Sequence, residues 1–205
     1  MKPVRLGAVV IPPVTAIILA TLVACFIVSG IVANFVPSVA STIALLTLTT
    51  DGVMHGEVWR LLTYAFIHAL ESPWHLLINC LFIFMFGRDL EERWGASRYL
   101  LFALLTVVVG GLFVVGTGLL MPGRGSAIGA SAFSQGVLVA WGLTWRDREF
   151  RLLLAIPARG IHLVWISVFL WFLDAISTSP VSAAAHLGGM VTAAVLVLGV
   201  CAQTL

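Results

Sequence analysis

Six long runs of apolar residues divide this chain, and most polar residues fall in the short stretches between them. The runs cover about residues 12–35, 73–88, 99–120, 128–144, 160–177 and 181–202. A helix of about 20 apolar residues crosses the roughly 30 Å of hydrocarbon in a bilayer. The second and fourth runs are shorter, but their flanks are apolar enough to extend them. The pattern therefore predicts an all-α membrane protein, a bundle of six transmembrane helices.

The segment 36–72, between the first two runs, is too apolar for a free loop. We expect short helices there that lie along the membrane interface. Trp59 and Tyr64 would anchor them, because aromatic rings with a polar group favour that depth.

The composition indicates that lipid, not water, is the solvent of this chain. Of its 205 residues, 60% are hydrophobic and only 10% are charged, whereas soluble domains carry roughly 25% charged residues. The mean hydropathy is +1.10. Nothing remains for a separate soluble domain, so we expect one membrane domain over residues 1–205. The net charge of +2 provides no nucleic-acid-binding face.

The cysteines do not form a recognisable metal or disulfide pattern. Cys25, Cys80 and Cys201 lie far apart, each in an apolar run. An odd, scattered set of this kind argues against a disulfide framework and against a zinc site. No metal is expected.

The basic residues predict how the helices are oriented. Nine of them lie before run 1, between runs 2 and 3, or between runs 4 and 5: Lys2, Arg5, Arg88, Arg93, Arg98, Arg146, Arg148, Arg151 and Arg159. The other loops contain only Arg60 and Arg124. Loops rich in lysine and arginine stay in the cytoplasm. Both termini are therefore predicted to be cytoplasmic, and runs 2, 4 and 6 to cross from outside to inside.

Three polar residues then fall at a similar depth. His75, Ser131 and His186 each lie near the outer start of an inward-running helix, within roughly 5–10 Å of the outer boundary at 1.5 Å per residue. Polar side chains inside a bilayer cost free energy and are by default functional or paired. We expect these three to line one cavity that water enters from outside.

These residue types can carry out nucleophilic catalysis. A serine hydroxyl becomes an effective nucleophile when a histidine takes its proton, which requires a hydrogen bond of about 2.6–3.2 Å. His75 and Asn79 are four residues apart on one helix face and can donate to an oxyanion. The Ser131 N–H, near a helix N-terminus, can donate to it as well. No acidic residue lies close to His186 in sequence, and the prediction includes none.

Four stretches of the chain together resemble the rhomboid family of intramembrane serine proteases. They are EVWRLLTYAFIHA, WHLLINCLFIFMFGRDLEERWG, GASAFSQG and AHLGGMVTAAVLVLG, and they occur in the order typical of that family. The resemblance implies that Ser131 is the nucleophile, His186 the general base, and His75 with Asn79 the oxyanion hole. Gly129 belongs to the same signature, and Trp59 with Arg60 matches a structural Trp-Arg pair. It also implies transmembrane protein substrates cut near their outer end, without metal or cofactor.

Two positions depart from the family pattern. Ala132 follows the serine where the family often has glycine, and Gln135 stands where an aromatic ring tends to stack on the histidine. An amide at that place could hold the imidazole by a hydrogen bond. The departures keep open an alternative, a rhomboid-like protein that binds transmembrane partners without cutting them. A small-molecule transporter is a more distant alternative, since the polar residues mark one depth and not a path across the membrane.

The remaining polar residues favour structural roles. We expect His55, His68 and His162 at interfaces or in loops, and Asp174 to be solvated or to cap the last helix. The charged turn of Asp89, Glu91, Glu92 and Arg93 predicts a solvated cytoplasmic loop with weak ion pairs. On run 5, Trp165, Phe169, Trp171 and Phe172 are expected mainly to face lipid. Short loops and the lack of a transit-like segment favour a bacterial plasma membrane.

Overall fold

The chain folds around helices, as a computed structural model shows for residues 3–6, 9–36, 41, 43–121, 125–152, 156–177 and 180–203. Among these residues the helices are α1 (Pro13–Phe35), α2 (Thr50–Met54), α3 (Arg60–Thr63), α4 (Pro73–Phe82), α5 (Arg88–Trp94), α6 (Ala96–Leu120), α7 (Ser131–Thr144), α8 (Gly160–Ser177) and α9 (Pro180–Gln203). A 3₁₀ turn, Tyr64–Phe66, follows α3. A π-helical turn, Ile83–Gly87, joins α4 to α5, so the helical path that starts at Pro73 runs on to Trp94.

Helices occupy all six apolar runs predicted from the sequence. Three of them, α1, α6 and the Pro180–Gly199 part of α9, are long and apolar enough to cross a membrane, and α8 contains a shorter apolar helix, Gly160–Ile176. Large apolar side chains on their outer surfaces, such as Ile27, Phe169 and Val195, are more than half exposed. A helical protein that exposes this much apolar surface is a membrane protein.

The all-α prediction missed three short two-stranded sheets. β1 (Val4–Leu6) pairs with β2 (Val9–Ile11), β3 (Leu48–Thr49) with β4 (Ser126–Ala127), and β5 (Glu149–Leu152) with β6 (Ile156–Arg159), all antiparallel. The β3–β4 pair matters most for the site. It joins the segment after α1 to the residues that lead into α7, and the Thr50 N–H extends it by donating to Gly125 O at 2.7 Å.

The segment between α1 and α4 contains the short helices that were predicted, but one of its expected anchors is wrong. Trp59 is 49% exposed and its Nε1–H donates to Leu45 O. Tyr64 is 1% exposed, and its hydroxyl donates to Val107 O on α6 at 2.9 Å. Tyr64 is therefore a core residue that fastens this segment to α6. Arg60 is buried as well, with its guanidinium bonded to Glu57 and to the carbonyls of Ala44 and Thr47.

The charged turn after α4 is not the solvated loop that the sequence predicted. Glu91 is 3% exposed and accepts the N–H groups of Val14 (2.9 Å) and Thr15 (2.7 Å), together with the Thr15 hydroxyl (2.8 Å). The first-turn amides of a helix lack partners within the helix and favour negative charge. Glu91 thus caps α1 from another helix. Asp89 accepts the Trp141 Nε1–H and pairs with Arg148.

Glycines bring α6, α7 and α9 into backbone contact. A Cβ on Gly189 of α9 would overlap the carbonyl oxygen of Ala132 on α7. A Cβ on Gly188 would lie 2.8 Å from the Cα of Gly110 on α6. Membrane helices associate largely by van der Waals packing, for which small residues allow close approach. These contacts set the height of α7 against α9.

We expect Gly189→Ala to destabilise the fold by about 1–3 kcal/mol, because the added methyl group must push α9 away from the Ala132 carbonyl. Thermal unfolding of the purified protein in one detergent measures this change. Gly199→Ala is the matched control on the same helix, since a Cβ there meets nothing within 4 Å. The control should be neutral or slightly stabilising. Equal stability of the two variants would contradict the packing argument.

We expect Glu91→Ala to lower stability by about 2–4 kcal/mol, since it leaves two buried N–H groups at the start of α1 without their charged acceptor. Glu92→Ala removes the same charge one position along, from an exposed side chain. It should change stability by less than about 0.5 kcal/mol. Denaturant unfolding of both variants in the same detergent tests the difference.

Candidate active site

Ser131 is the first residue of α7, directly after a turn that Gly129 makes possible. Gly129 has φ +104°, a backbone conformation that side chains rarely tolerate. Its N–H donates to Tyr64 O at 2.9 Å, which joins the turn to the segment between α1 and α4. The Ser131 N–H makes no hydrogen bond to any described residue. This amide is therefore available to a ligand at the N-terminal end of α7.

The absence of a side chain at Gly129 also lets the His75 imidazole pack on the turn. A Cβ at position 129 would lie 2.5 Å from His75 Cε1 and 2.7 Å from its Nε2. The structure thus brings His75 of α4 against the turn that precedes Ser131. Any residue other than glycine would displace the imidazole.

Asn79 is buried between α4 and α7, 4% exposed, with its amide held at both ends. Its Oδ1 accepts the Ser134 hydroxyl at 2.6 Å, and its Nδ2 donates to His75 O at 2.8 Å. The His75 carbonyl can only accept, so its bond fixes which end of the amide is the nitrogen. An amide nitrogen carries two protons, so Asn79 Nδ2 keeps one more to donate.

His186 lies on α9, three residues before Gly189, and its imidazole faces an acidic residue that the sequence analysis did not connect with it. Nδ1 of His186 is 3.3 Å from Oδ2 of Asp174 on α8, with the two side chains 15% and 19% exposed. The contact is close but poorly directed, because His186 Nδ1 completes no hydrogen bond. Asp174 was expected to be solvated or to cap the last helix; it is partly buried, 19% exposed, and lies beside His186.

Ser131 and His186 share no hydrogen bond among the contacts of the described residues. The packing of α7 on α9 brings their helices together, while the imidazole's Nδ1 is turned toward Asp174. Catalytic hydrogen bonds are often long in unliganded enzymes and tighten when substrate binds. Gln135 does not hold the imidazole either: it is 7% exposed and its Oε1 bonds to no described residue.

His68 is a supporting residue of the site; it had been expected at an interface or in a loop. It is 2% exposed, and its Nε2 accepts the Ala130 N–H at 3.3 Å. Its ring lies 5.1 Å from that of His75. Burial, aided by the neighbouring His75, lowers the pKa of His68 to about 4. The imidazole is therefore neutral near pH 7 and remains able to accept the bond that positions the turn before Ser131.

The aromatic residues of α8 divide between lipid and core. Trp165, Phe169 and Phe172 are more than half exposed, as expected of lipid-facing residues. Trp171 packs partly against the core, and its Nε1–H is buried without a partner among the described residues. Among the residues that the structure describes, no group of His, Cys, Asp or Glu could hold a metal ion.

The site thus contains a hydroxyl, imidazoles, an amide and a free N–H near the N-terminal end of α7. Ser134, His68 and Asp174 were missed as supporting residues. A signal for Asp174 was present, because the predicted topology places it at the outer end of its helix, at the depth of His186. Ser134 lies one turn after Ser131 on α7. The sequence does not show that its side chain faces α4, because that depends on how α7 packs.

Comparisons with known proteins identify relatives of this chain. “Rhomboid-like protease 3” from Toxoplasma gondii is 33% identical over 82 residues, which cover 40% of this chain and 29% of that protein. “Putative rhomboid protease YdcA” from Bacillus subtilis is 39% identical over 61 residues, 30% of this chain and 30% of that protein. The matches therefore span less than a third of each relative. The family model described as Rhomboid domain matches residues 55–203, most of the chain. This protein belongs to the rhomboid family.

Proposed function

We propose that this protein is an intramembrane serine endopeptidase that cleaves transmembrane or membrane-anchored proteins near the outer membrane face. Ser131 is the nucleophile and His186 the general base. One observation carries the proposal: α7 and α9 are in backbone contact at Ala132 and Gly189, next to Ser131 and one turn from His186.

The contact supports a reacting pair because of helix geometry. In the proposed topology both helices run inward from the outer face. Ser131 then lies about 1.5 Å above its contact residue, Ala132, and His186 about 4.5 Å above Gly189, at 1.5 Å rise per residue. The two levels differ by about 3 Å. Residues three apart share a helix face, so His186 lies on the side of α9 that meets α7. The proposal requires the imidazole to turn toward the hydroxyl, as catalytic hydrogen bonds often tighten only when substrate binds.

The chemistry is acyl transfer in two halves. Ser131 Oγ bonds to the scissile carbonyl carbon while its proton passes to His186 Nε2, the nitrogen that does not face Asp174. The carbon–nitrogen bond then breaks, and the imidazolium returns that proton to the leaving amine. Water entering from the outer side attacks the acyl group, gives a proton to Nε2 and releases the new carboxyl end. The proton on Nε2 finally restores the Ser131 hydroxyl.

Three donors would stabilise the oxyanion formed in each half: the Ser131 N–H, the His75 imidazole and Asn79 Nδ2. The bond from Asn79 Nδ2 to the His75 carbonyl supports the role of Asn79, since it fixes the amide orientation. The contact with Gly129 supports the position of His75. No cofactor or metal takes part in this scheme, because the attack, the proton transfers and the charge stabilisation all have a side chain or amide.

We further propose the membrane arrangement that this chemistry needs. Six helices cross the bilayer with both termini in the cytoplasm, within one membrane domain over residues 1–205. Helices at all six apolar runs and the one-sided arginine distribution support it. The substrate helix must unwind locally, since a peptide bond inside a helix is shielded. A bacterial plasma membrane is the proposed location.

A second function has some support. A rhomboid-like protein that binds transmembrane partners without cutting them would account for the missing Ser131–His186 hydrogen bond and for Ala132 and Gln135. It has the weaker case, because both members of the dyad and the oxyanion donors remain.

A fluorophosphonate probe should label the detergent-purified protein at Ser131, because the probe phosphonylates a serine that is activated by a base. Ser131→Ala should abolish labelling, and Ser126→Ala, on β4 in the approach to α7, should not. Mass spectrometry of the labelled peptide gives the position. Labelling of Ser131→Ala at the rate of the unmodified protein would refute the assignment of Ser131, and absence of labelling of the unmodified protein would favour the binding protein.

Asn79→Ala should slow the acylation of Ser131 by about 100- to 1000-fold. The loss of one oxyanion donor typically costs about 2.7–4 kcal/mol of transition-state stabilisation. Asn34→Ala is the matched control. Asn34 Nδ2 donates to Gly30 O at 2.8 Å, the same bond to a carbonyl four residues back that Asn79 makes, but from exposed α1. Comparable losses in both variants would contradict the oxyanion role.

A further inference from the structure

We propose that Asp174 is a positioning residue that orients His186 within the serine–histidine pair. The inference rests on the proposed function for its catalytic meaning. Its structural part, the pairing of Asp174 with His186, can be tested by itself.

The pairing joins two helices at the site. Asp174 lies in the last turn of α8 and His186 near the start of α9, with Oδ2 and Nδ1 3.3 Å apart. His75 lies within electrostatic range of both groups from α4. The carboxylate therefore faces an imidazole on each of two neighbouring helices, and the nearer one belongs to the proposed base.

The chemistry of the Asp174 and His186 side chains determines which ring nitrogen of His186 keeps its proton. An ionised carboxylate only accepts hydrogen bonds, and a neutral imidazole carries its proton on one nitrogen. With Asp174 beside it, Nδ1 is the nitrogen that keeps the proton, which leaves Nε2 with the lone pair that must receive the Ser131 proton. Gln135 does not supply this orientation, because its Oε1 makes no hydrogen bond to the ring.

The cost of burying charge leads to the same role. A carboxylate 19% exposed within a bilayer protein is expensive unless it is paired. When His186 takes up the serine proton, the imidazolium gains a counter-charge at 3.3 Å without any rearrangement of the helices. Asp174 then stabilises the charged intermediate more than the resting state, which is the requirement for faster chemistry.

A capping role at the α8–α9 junction is the structural alternative, and Asp174→Asn separates the two. Asparagine keeps the size of the side chain and an oxygen that can cap a helix. It loses the charge and can present an N–H toward Nδ1, which favours the wrong tautomer of His186. Asp174→Glu restores the charge. Glu71→Gln, which removes a carboxylate from an exposed position at the end of the segment before α4, is the matched control.

The first measurement is the rate of fluorophosphonate labelling at saturating probe, together with the probe concentration that gives half of that rate. We expect Asp174→Asn to lower the maximal rate by roughly 10- to 100-fold, less than the roughly 10⁴-fold seen where such an aspartate is fully buried. The half-saturating concentration and the melting temperature should not change. Asp174→Glu should recover most of the rate, and Glu71→Gln should match the unmodified protein.

The second measurement does not need activity. In ¹⁵N-histidine-labelled Ser131→Ala protein at about pH 8.5, where an ordinary imidazole is neutral, NMR reports which ring nitrogen of His186 carries the proton. A further His186→Ala variant assigns the signals. We expect the proton mainly on Nδ1, and a shift of the population toward Nε2 on adding Asp174→Asn.

The outcomes separate the two proposals. Labelling at Ser131 with an unchanged rate in Asp174→Asn, or an unchanged tautomer population, overturns the role of Asp174 and leaves the protease assignment intact. Failure of the unmodified protein to label at Ser131 counts against the proposed function, and the tautomer population then decides the Asp174–His186 pairing alone.

Discussion

The close approach of backbones between α6, α7 and α9 is the constraint on which this structure depends. In lipid there is no hydrophobic gain from bringing two apolar helices together, so the fit of their surfaces must hold them. Gly110, Gly188 and Gly189 remove the side chains that would keep the helix axes apart. The first turn of α7 therefore cannot shift along α9 without losing that fit. Ser131, at the start of α7, is held at a fixed height against α9.

Some polar groups away from the site are satisfied by contacts that also join elements. Glu91 caps α1, and Arg60 gathers two carbonyls of the segment between α1 and α4. Among the described residues, His186 Nδ1 and Gln135 Oε1 at the candidate site are buried without hydrogen bonds, and so are a few polar atoms elsewhere, such as Thr50 Oγ1 and Ser167 Oγ. Unsatisfied polar atoms are costly in a low-dielectric interior and are commonly found where function requires them.

The helices could be predicted from the sequence because apolar length is a local property of the chain. What the sequence could not supply were contacts between residues far apart in it. Glu91 and Thr15 are 76 positions apart, and nothing near either of them indicates that they bond. Tyr64 has the same character, since its amphipathic ring suits an interface equally well until α6 provides an acceptor.

The candidate site divides in the same way. Ser131, His186, His75 and Asn79 could be chosen as site residues because polar side chains are rare in apolar runs and the charge pattern set their depth. The face that each helix turns toward its neighbours was not available. That rotation places Asp174 beside His186 Nδ1 and leaves Gln135 Oε1 without a hydrogen bond to any described residue. The charge pattern predicts a depth for each residue, but no local pattern predicts how each helix is rotated about its axis.

The turn before Ser131 is attached to the segment between α1 and α4, and this attachment affects how the two can open. Three bonds join them: Thr50 to Gly125, Gly129 to Tyr64, and Ala130 to His68. Segments linked in this way open together as one cooperative unit. The amides of residues 50, 129 and 130 should then share one opening free energy in hydrogen exchange. Loosening the segment between α1 and α4 would therefore release the turn before Ser131 as well, so the order of Ser131 depends on the order of that segment.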